Sequence, residues 1–467
     1  MAGFTEFVRS ASTLLPEVPK PIRKLSLTQR LIWTAIALII YLTMAQVPLY
    51  GVPTGLADQW AYTRIIFASS QGTLMELGIG PIVTAGLILQ LLKGAEILKL
   101  DFRKPEDRAF FTSATKLLTL IVIVVESLAF MAGGAFGRDL TTTTAGIILL
   151  QLLAAGVVVV LLDELVQKGW GLGSGVSLFI MAGVAQQIMW MLFSVLPTGQ
   201  GYLGVIPFTV NATLAGTPLQ SFYRPGGLPS IFTLLLTILM IVLIVYAEGV
   251  RIEVPVTSTR FRGFAGVYPI KLLYVSNIPV ILLSALLANI TFFSQLVWDR
   301  LNRGNQNPIL NLLVTYEDPT AGPSGGFLYY ITTPGNLERA AADPLRTFTY
   351  ILFFVALTVL FAKLWVEIGG LSPKAAAKSL IDAQVQVPGF RRAHISIEAI
   401  LSKYIPSLTI IGGIIIGLIA SVSDILGVFG SGIGILLMVG IMLQYYQLLM
   451  RERIEEMMPR LAEFLGR

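Results

Sequence analysis

Ten apolar runs of roughly 20 residues dictate what this chain can become, because a helix needs about that length to cross some 30 Å of hydrocarbon. They fall at residues 31–50, 73–93, 110–133, 144–163, 174–195, 228–248, 270–292, 346–366, 405–424 and 430–450. In lipid the backbone must satisfy its own N–H and C=O groups, so such runs fold as spanning helices. Composition agrees: 55% of the 467 residues are hydrophobic and 13% are charged, against about a quarter charged in a soluble domain. The expected fold class is an all-α polytopic membrane protein. Arg9, Lys20, Arg23, Lys24 and Arg30 precede the first apolar run, which starts at Leu31, so that span is expected to stay as an anchor rather than leave as a signal peptide.

An even number of spans places both termini on one side. Of the 33 Lys and Arg residues, 26 fall on the N-terminal side and 7 on the other, which predicts both termini in the cytoplasm. The predicted organisation is a cytoplasmic segment 1–30, an N-terminal half 31–195, an external loop 196–227, a C-terminal half 228–450 and a cytoplasmic tail 451–467. The C-terminal half carries cytoplasmic loops at 249–269 and 367–404, the second partly helical, and an external loop at 293–345. The external loops, rich in Pro, Gly and Asn, read as plain connectors; Asn211-Ala-Thr213 is a three-residue match to a glycosylation acceptor, a motif that recurs by chance. Five spans on each side of 196–227 permit an inverted repeat, a plan common in membrane conduits.

One run departs from the rest. Gly72, Gly78, Gly80, Pro81 and Gly86 interrupt residues 64–94, and the stretch 55–68 just before is too short and too polar to span. Broken backbone at membrane depth survives only where protein or a water-filled cavity satisfies it, so this region points to a path through the membrane.

The chemistry of catalysis is missing. There are no cysteines, which removes disulfides, thiolate nucleophiles and cysteine metal sites. The single histidine, His394, lies in a predicted loop, Leu172–Gly175 is only a fragment of a serine-hydrolase motif, and no phosphate-binding loop is present. No enzyme activity, cofactor or metal is expected. A coupled transporter would place ionisable groups near mid-membrane; the one clear mid-span charge is Glu126, which reads equally as a carboxyl paired with a neighbouring helix. Gly78, Gly80, Gly86, Gly171, Gly173 and Gly175 suit close helix approach. Beside them, Ile79 with Val83 and Val176 with Ile180 each share one helix face. Such pairs are ordinary core or lipid contacts, or the narrow apolar constriction of a gated pore. The loop arginines Arg260, Arg262, Arg391 and Arg392 fit lipid headgroups or an acidic, RNA-rich partner. The net charge of +6 arises mostly from such loops and does not indicate DNA.

Three long stretches resemble the SecY family, the central subunits of protein-conducting channels: RIIFASSQGTLMELGIGPIVTAGLILQLLKG at 64–94, YPIKLLYVSNIPVILLSALLANI at 268–290 and KYIPS at 403–407. The resemblance runs through essentially the whole chain outside the external loops, and GTLMELGI is closer to archaeal and eukaryotic wording than to bacterial. It implies ten transmembrane helices in two pseudo-symmetric five-helix halves with a short plug helix. The family's constriction ring maps to Ile79, Val83, Val176, Ile180, Ile281 and Leu437, with Leu436 as the adjacent register for the last. The plug maps to 56–67, with Leu56, Trp60, Arg64 and Phe67 along it. The lateral gate lies between the second and third spans and the seventh and eighth, with Thr84 and Asn289 at its polar positions. The resemblance further implies a SecE-like γ subunit, a small β-like subunit, docking of the ribosome on the loops of Arg260, Arg262, Arg391 and Arg392, signal peptides and nascent chains as clients, contact with membrane lipid, and a multi-pass location in the plasma membrane. A small-solute transporter and a non-conducting membrane scaffold are the competing readings.

Overall fold

The structure, a computed structural model, describes residues 16–23, 25–53, 67–95, 97, 98, 100, 102, 104–137, 141–199, 201–258, 265–275, 278–317, 322–382, 385, 386 and 393–457. Among these, nine helices are long and apolar enough to cross a membrane. In chain order the first span is Leu27–Met44, and the third to fifth are Pro105–Ala132, Thr142–Gln167 and Gly175–Phe193. The sixth to tenth are Ile231–Gly249, Ile278–Leu301, Pro344–Ile368, Ala393–Ile425 and Gly432–Met457. Their starts follow local rules. Ser26 and Gln29 form a capping box on the first span, Thr141 caps the fourth, and Pro105 with Glu106 and Asp107 opens the third.

The second span is the short helix Gly80–Gly94. The apolar run predicts helix from residue 73, but the chain between Phe67 and Ile79 turns irregularly. Gly78 has φ +56°, and a Cβ there would lie 2.1 Å from the Phe67 carbonyl oxygen. A left-handed residue in so close a contact cannot continue a helix from above. The ninth span is longer than hydropathy predicts: it starts at Ala393 and runs 33 residues, about 50 Å at the helical rise, so it projects well past the bilayer.

The charged face carries more regular structure than its loops suggest. Arg251–Ser258 (β3) and Ala265–Lys271 (β4) pair as an antiparallel hairpin, and Val385–Gln386 (β5) joins β3 on the other edge. The period-two pattern of RIEVPVTS explains the strand. A helix, Pro373–Asp382, follows the eighth span. The opposite face holds a hairpin of Pro197–Thr198 (β1) and Gly201–Tyr202 (β2) and a helix Val205–Leu214. Between these connectors Arg224 is buried, donating to the carbonyls of Leu203 and Pro229 and lying 3.9 Å from the Phe208 ring centre.

Two matching brackets relate the halves. In the first, Leu172 N–H donates to Thr34 of the first span at 2.9 Å, and Val176 N–H donates to Asp163 of the fourth at 2.9 Å. In the second, Phe429 N–H donates to Thr237 of the sixth span at 3.0 Å, and Gly432 N–H donates to Asp424 of the ninth at 2.7 Å. The segments so held read Leu-Gly-Ser-Gly-Val at 172–176 and Phe-Gly-Ser-Gly-Ile at 429–433. Each bracket ties the first and fourth helices of its half to the start of the fifth. The first lies between the fourth and fifth spans and the second between the ninth and tenth, an odd number of crossings apart and so on opposite faces, as an inverted repeat requires.

Candidate functional site

The ring positions come together in the apolar centre. Ile79, Val83, Ile180 and Leu437 are buried in one cluster, with half-buried Val176 and Ile281 packed against it. Leu436, the adjacent register, is buried in the same cluster. The bracket sequences relate the two halves here too: Ile180 follows Gly173 by seven residues, and Leu437 follows Gly430 by seven.

The end of the region assigned to the plug sits against this cluster. Phe67 and Ala68 are both buried. The Phe67 carbonyl accepts from Ile79 N–H at 2.8 Å, and the Tyr41 hydroxyl donates to the Ala68 carbonyl. Tyr41 in turn stacks on Phe179 of the fifth span with ring centres 4.3 Å apart. Gly80 leaves the room that Phe67 occupies, since a Cβ there would be 3.1 Å from its ring. The glycines of this segment thus make space for the chain end that packs on the ring residues. Leu56, Trp60 and Arg64 lie outside the described residues.

The assigned gate positions meet across a separation of 205 residues: the Asn289 amide donates to the Thr84 hydroxyl at 3.0 Å. The Thr84 hydroxyl in turn donates a hydrogen bond to the Glu126 carboxyl at 3.2 Å, and Asn289 also donates to the Ala285 carbonyl at 2.8 Å. A single hydroxyl, acting as donor and acceptor, therefore links the second, third and seventh spans. Above this chain Phe130 of the third span packs on Phe292 of the seventh, ring centres 4.6 Å apart. Among the described residues Ser127 Oγ and Gln295 Nε2, on the same two helices, are buried without a hydrogen-bond partner. A seam with unmet polar groups is costlier to keep dry than a fully apolar one. Arg260, Arg262, Arg391 and Arg392 are outside the described residues.

The SecY family model matches residues 73–446, and the model for the plug domain of Sec61p matches residues 39–72. The chain belongs to the SecY family. It is 40% identical to protein translocase subunit SecY of Pyrococcus furiosus over 479 residues, spanning 99% of this chain and all of that one. Its fold matches a solved structure described as that of a protein conducting channel, with a TM-score of 0.82 and 36% identity over 96% of this chain and 98% of the other. Sec61 in the canine ribosome–channel complex from the endoplasmic reticulum is similar at a TM-score of 0.80 and 35% identity, covering 96% and 98%. A SecY fold, all-α and multi-span, is thus established, and with it membership among pore-forming translocase subunits.

Residue reading alone missed several participants. Glu126 was legible as a buried charge, yet its partner is set by tertiary packing. Asp163 and Asp424 carried a readable signal, the duplicated Gly-Ser-Gly followed by Val or Ile.

Proposed function

We propose that the chain is the central pore-forming subunit of a protein translocase, conducting unfolded polypeptides across the membrane and releasing apolar segments sideways into lipid. Membership of the SecY family over nearly the whole chain is the observation that carries this reading. The ring of Ile79, Val83, Val176, Ile180, Ile281 and Leu437 forms the constriction. Lined only by aliphatic side chains, it offers an ion no polar partner and dewets when narrow, while fitting around any chain regardless of sequence. The equal spacing from the two Gly-Ser-Gly segments supports Leu437 over Leu436.

The plug, residues 56–67, seals the pore from one side, its end anchored through Phe67 and Ala68. The lateral gate opens between the second and third spans and the seventh and eighth. There the Asn289–Thr84–Glu126 chain must break, and an entering helix gains roughly 0.3 to 0.6 kcal/mol for each central Leu, Ile, Phe or Val. Both termini face the cytoplasm by the charge bias of the loops. The ribosome docks on the loops of Arg260, Arg262, Arg391 and Arg392, and the SecE-like γ and small β-like subunits complete the complex in a plasma membrane. Reversing Arg391 and Arg392 to Glu weakens ribosome co-sedimentation in this reading.

Deleting residues 56–67 tests the function. A channel that loses its plug leaks ions in planar bilayers while still moving polypeptide. A transporter or scaffold shows no leak, and that result overturns the proposal.

A further inference from the structure

Two basic side chains cross the same seam at its two ends. Lys93, at the end of the second span, donates to the Ile368 carbonyl at 3.0 Å. Arg300, at the end of the seventh, donates to the Ala132 carbonyl. Ile368 and Ala132 are the last residues of the eighth and third spans. Each cation therefore reaches from one half of the molecule to a helix C-terminus on the other. Carbonyls there lack intrahelical partners, and the helix dipole favours a positive charge beside them.

The surroundings are those of contacts built to break. Lys93 and Ile368 both line a cavity of about 590 Å³, and Ala132 and Arg300 both line one of about 500 Å³. Water in these cavities can take over each donor and acceptor when the bond parts. Between the two lie the Thr84–Asn289 bond and the Phe130–Phe292 contact. Lys93 also sits 3.2 Å from the Phe102 ring centre, within its own half, so its charge keeps a partner after release.

We propose that Lys93 and Arg300 are the two end latches of the lateral gate and set, with Thr84 and Asn289, how apolar a client segment must be to open it. The inference rests on the gate reading above. Each latch crosses the seam through a charged group at a helix end, so its loss makes opening about two- to fivefold easier. Strongly apolar clients, which open the gate regardless, are indifferent to it. Charge-conserving replacements retain the latch.

The test uses the full complex in membranes and a series of signal sequences graded from Ala-rich to Leu-rich. Lys93→Met and Arg300→Met keep the apolar stems and remove the charge; Lys93→Arg and Arg300→Lys keep the charge. Thr84→Leu and Asn289→Leu report on the gate itself. The expected result is a two- to fivefold gain in insertion of the weakest signals for each Met variant, a larger gain for the pair, no change for Leu-rich signals, and wild-type behaviour for Lys93→Arg and Arg300→Lys. Wild-type insertion of weak signals by both Met variants, while Thr84→Leu shifts them, overturns the latches and leaves the gate standing. No shift in any variant overturns the gate reading and the latches with it. A uniform loss for all signals, with less assembled complex, assigns Lys93 and Arg300 to structural support and also overturns the proposal. Should the Met variants not assemble, the pair Lys93→Arg and Arg300→Lys still decides: a change in the threshold with the charge retained contradicts the latch.

Discussion

The two halves of this molecule meet along two seams made of different materials. In the middle of the proposed gate, neutral hydroxyl and amide groups cross between helices, and each keeps a partner in its own half: Thr84 has Glu126 and Asn289 has the Ala285 carbonyl; its charged crossings, Lys93 and Arg300, are at the two ends and meet only main-chain carbonyls. At the second seam the tenth span is clasped to the N-terminal half by a shielded ion pair, Arg30 with Glu452 at 2.5 Å, the side chains only 15% and 19% exposed. Arg30 also donates to the Gly171 carbonyl at 3.1 Å, and the Tyr445 hydroxyl lies 3.1 and 3.0 Å from the carbonyl oxygens of Leu172 and Ser174. Further along, Gly430 and Gly434 bring the tenth span against Val184 of the fifth. Parting the gate leaves its central groups with alternative hydrogen bonds and its end cations beside open cavities, whereas parting the clasp separates two opposite charges that shield each other. The halves should therefore separate at the gate and pivot about the clasp.

Arg30→Met is expected to have the largest effect. It leaves Glu452 shielded without its cation and costs about 1.5–3 kcal/mol, read as a lower melting temperature of the detergent-solubilised complex and reduced transport of every client. Thr84→Leu comes next, because it strands the buried Glu126 carboxyl as well as freeing Asn289. About 1–3 kcal/mol of seam stability is lost, and weak signals should insert better while the melting temperature falls less than for Arg30→Met. Asn289→Leu spares the Thr84–Glu126 bond and should shift the same threshold by less, about 0.5–1.5 kcal/mol. Equal effects of the two Leu variants would show that Glu126 does not share in the seam.

The smallest effect lies outside both seams. Residues 16–19 strap across the N-terminal half: Lys116 and Trp170 donate to the carbonyls of Pro16 and Pro19, and Lys168 pairs with Glu17. The hydrogen bond and charge of Lys168 hold the Glu17 carboxyl below its ordinary value of 4.5. A depressed carboxyl stabilises fully above its unfolded value and loses that contribution as pH falls through the folded one. Protease cleavage near Glu17 should accordingly rise only below about pH 4.5, with transport thresholds unchanged. A change at neutral pH would break the separation between strap and seams.

Hydropathy made the spans legible because apolar length is a local property. It misplaced the start of the second span, where the deciding contact is Gly78 against Phe67, and the start of the ninth, where the helix continues into water. The β3–β4 hairpin was obscured by Arg251, Pro255 and Pro269, residues that suit a charged loop as well as a strand. Ile79 and Val83 were legible from their shared helix face as either core or constriction, whereas Thr84 and Asn289 came only with the family resemblance, since nothing in residue spacing joins positions 205 apart. Lys93 and Arg300 looked like the basic flanks of any membrane helix, and only their acceptors across the seam distinguish them.

Because the chain contains no cysteine, engineered thiol pairs can lock either seam alone. Phe130→Cys with Phe292→Cys bridges the gate, and Ser174→Cys with Tyr445→Cys bridges the clasp, each closed by a short bifunctional thiol reagent. The gate bridge is expected to block insertion of apolar segments, reversibly if the reagent is cleavable, and the clasp bridge to leave insertion at the level of the same variant before bridging. Insertion that survives the gate bridge and stops at the clasp bridge would contradict the pivot about the clasp.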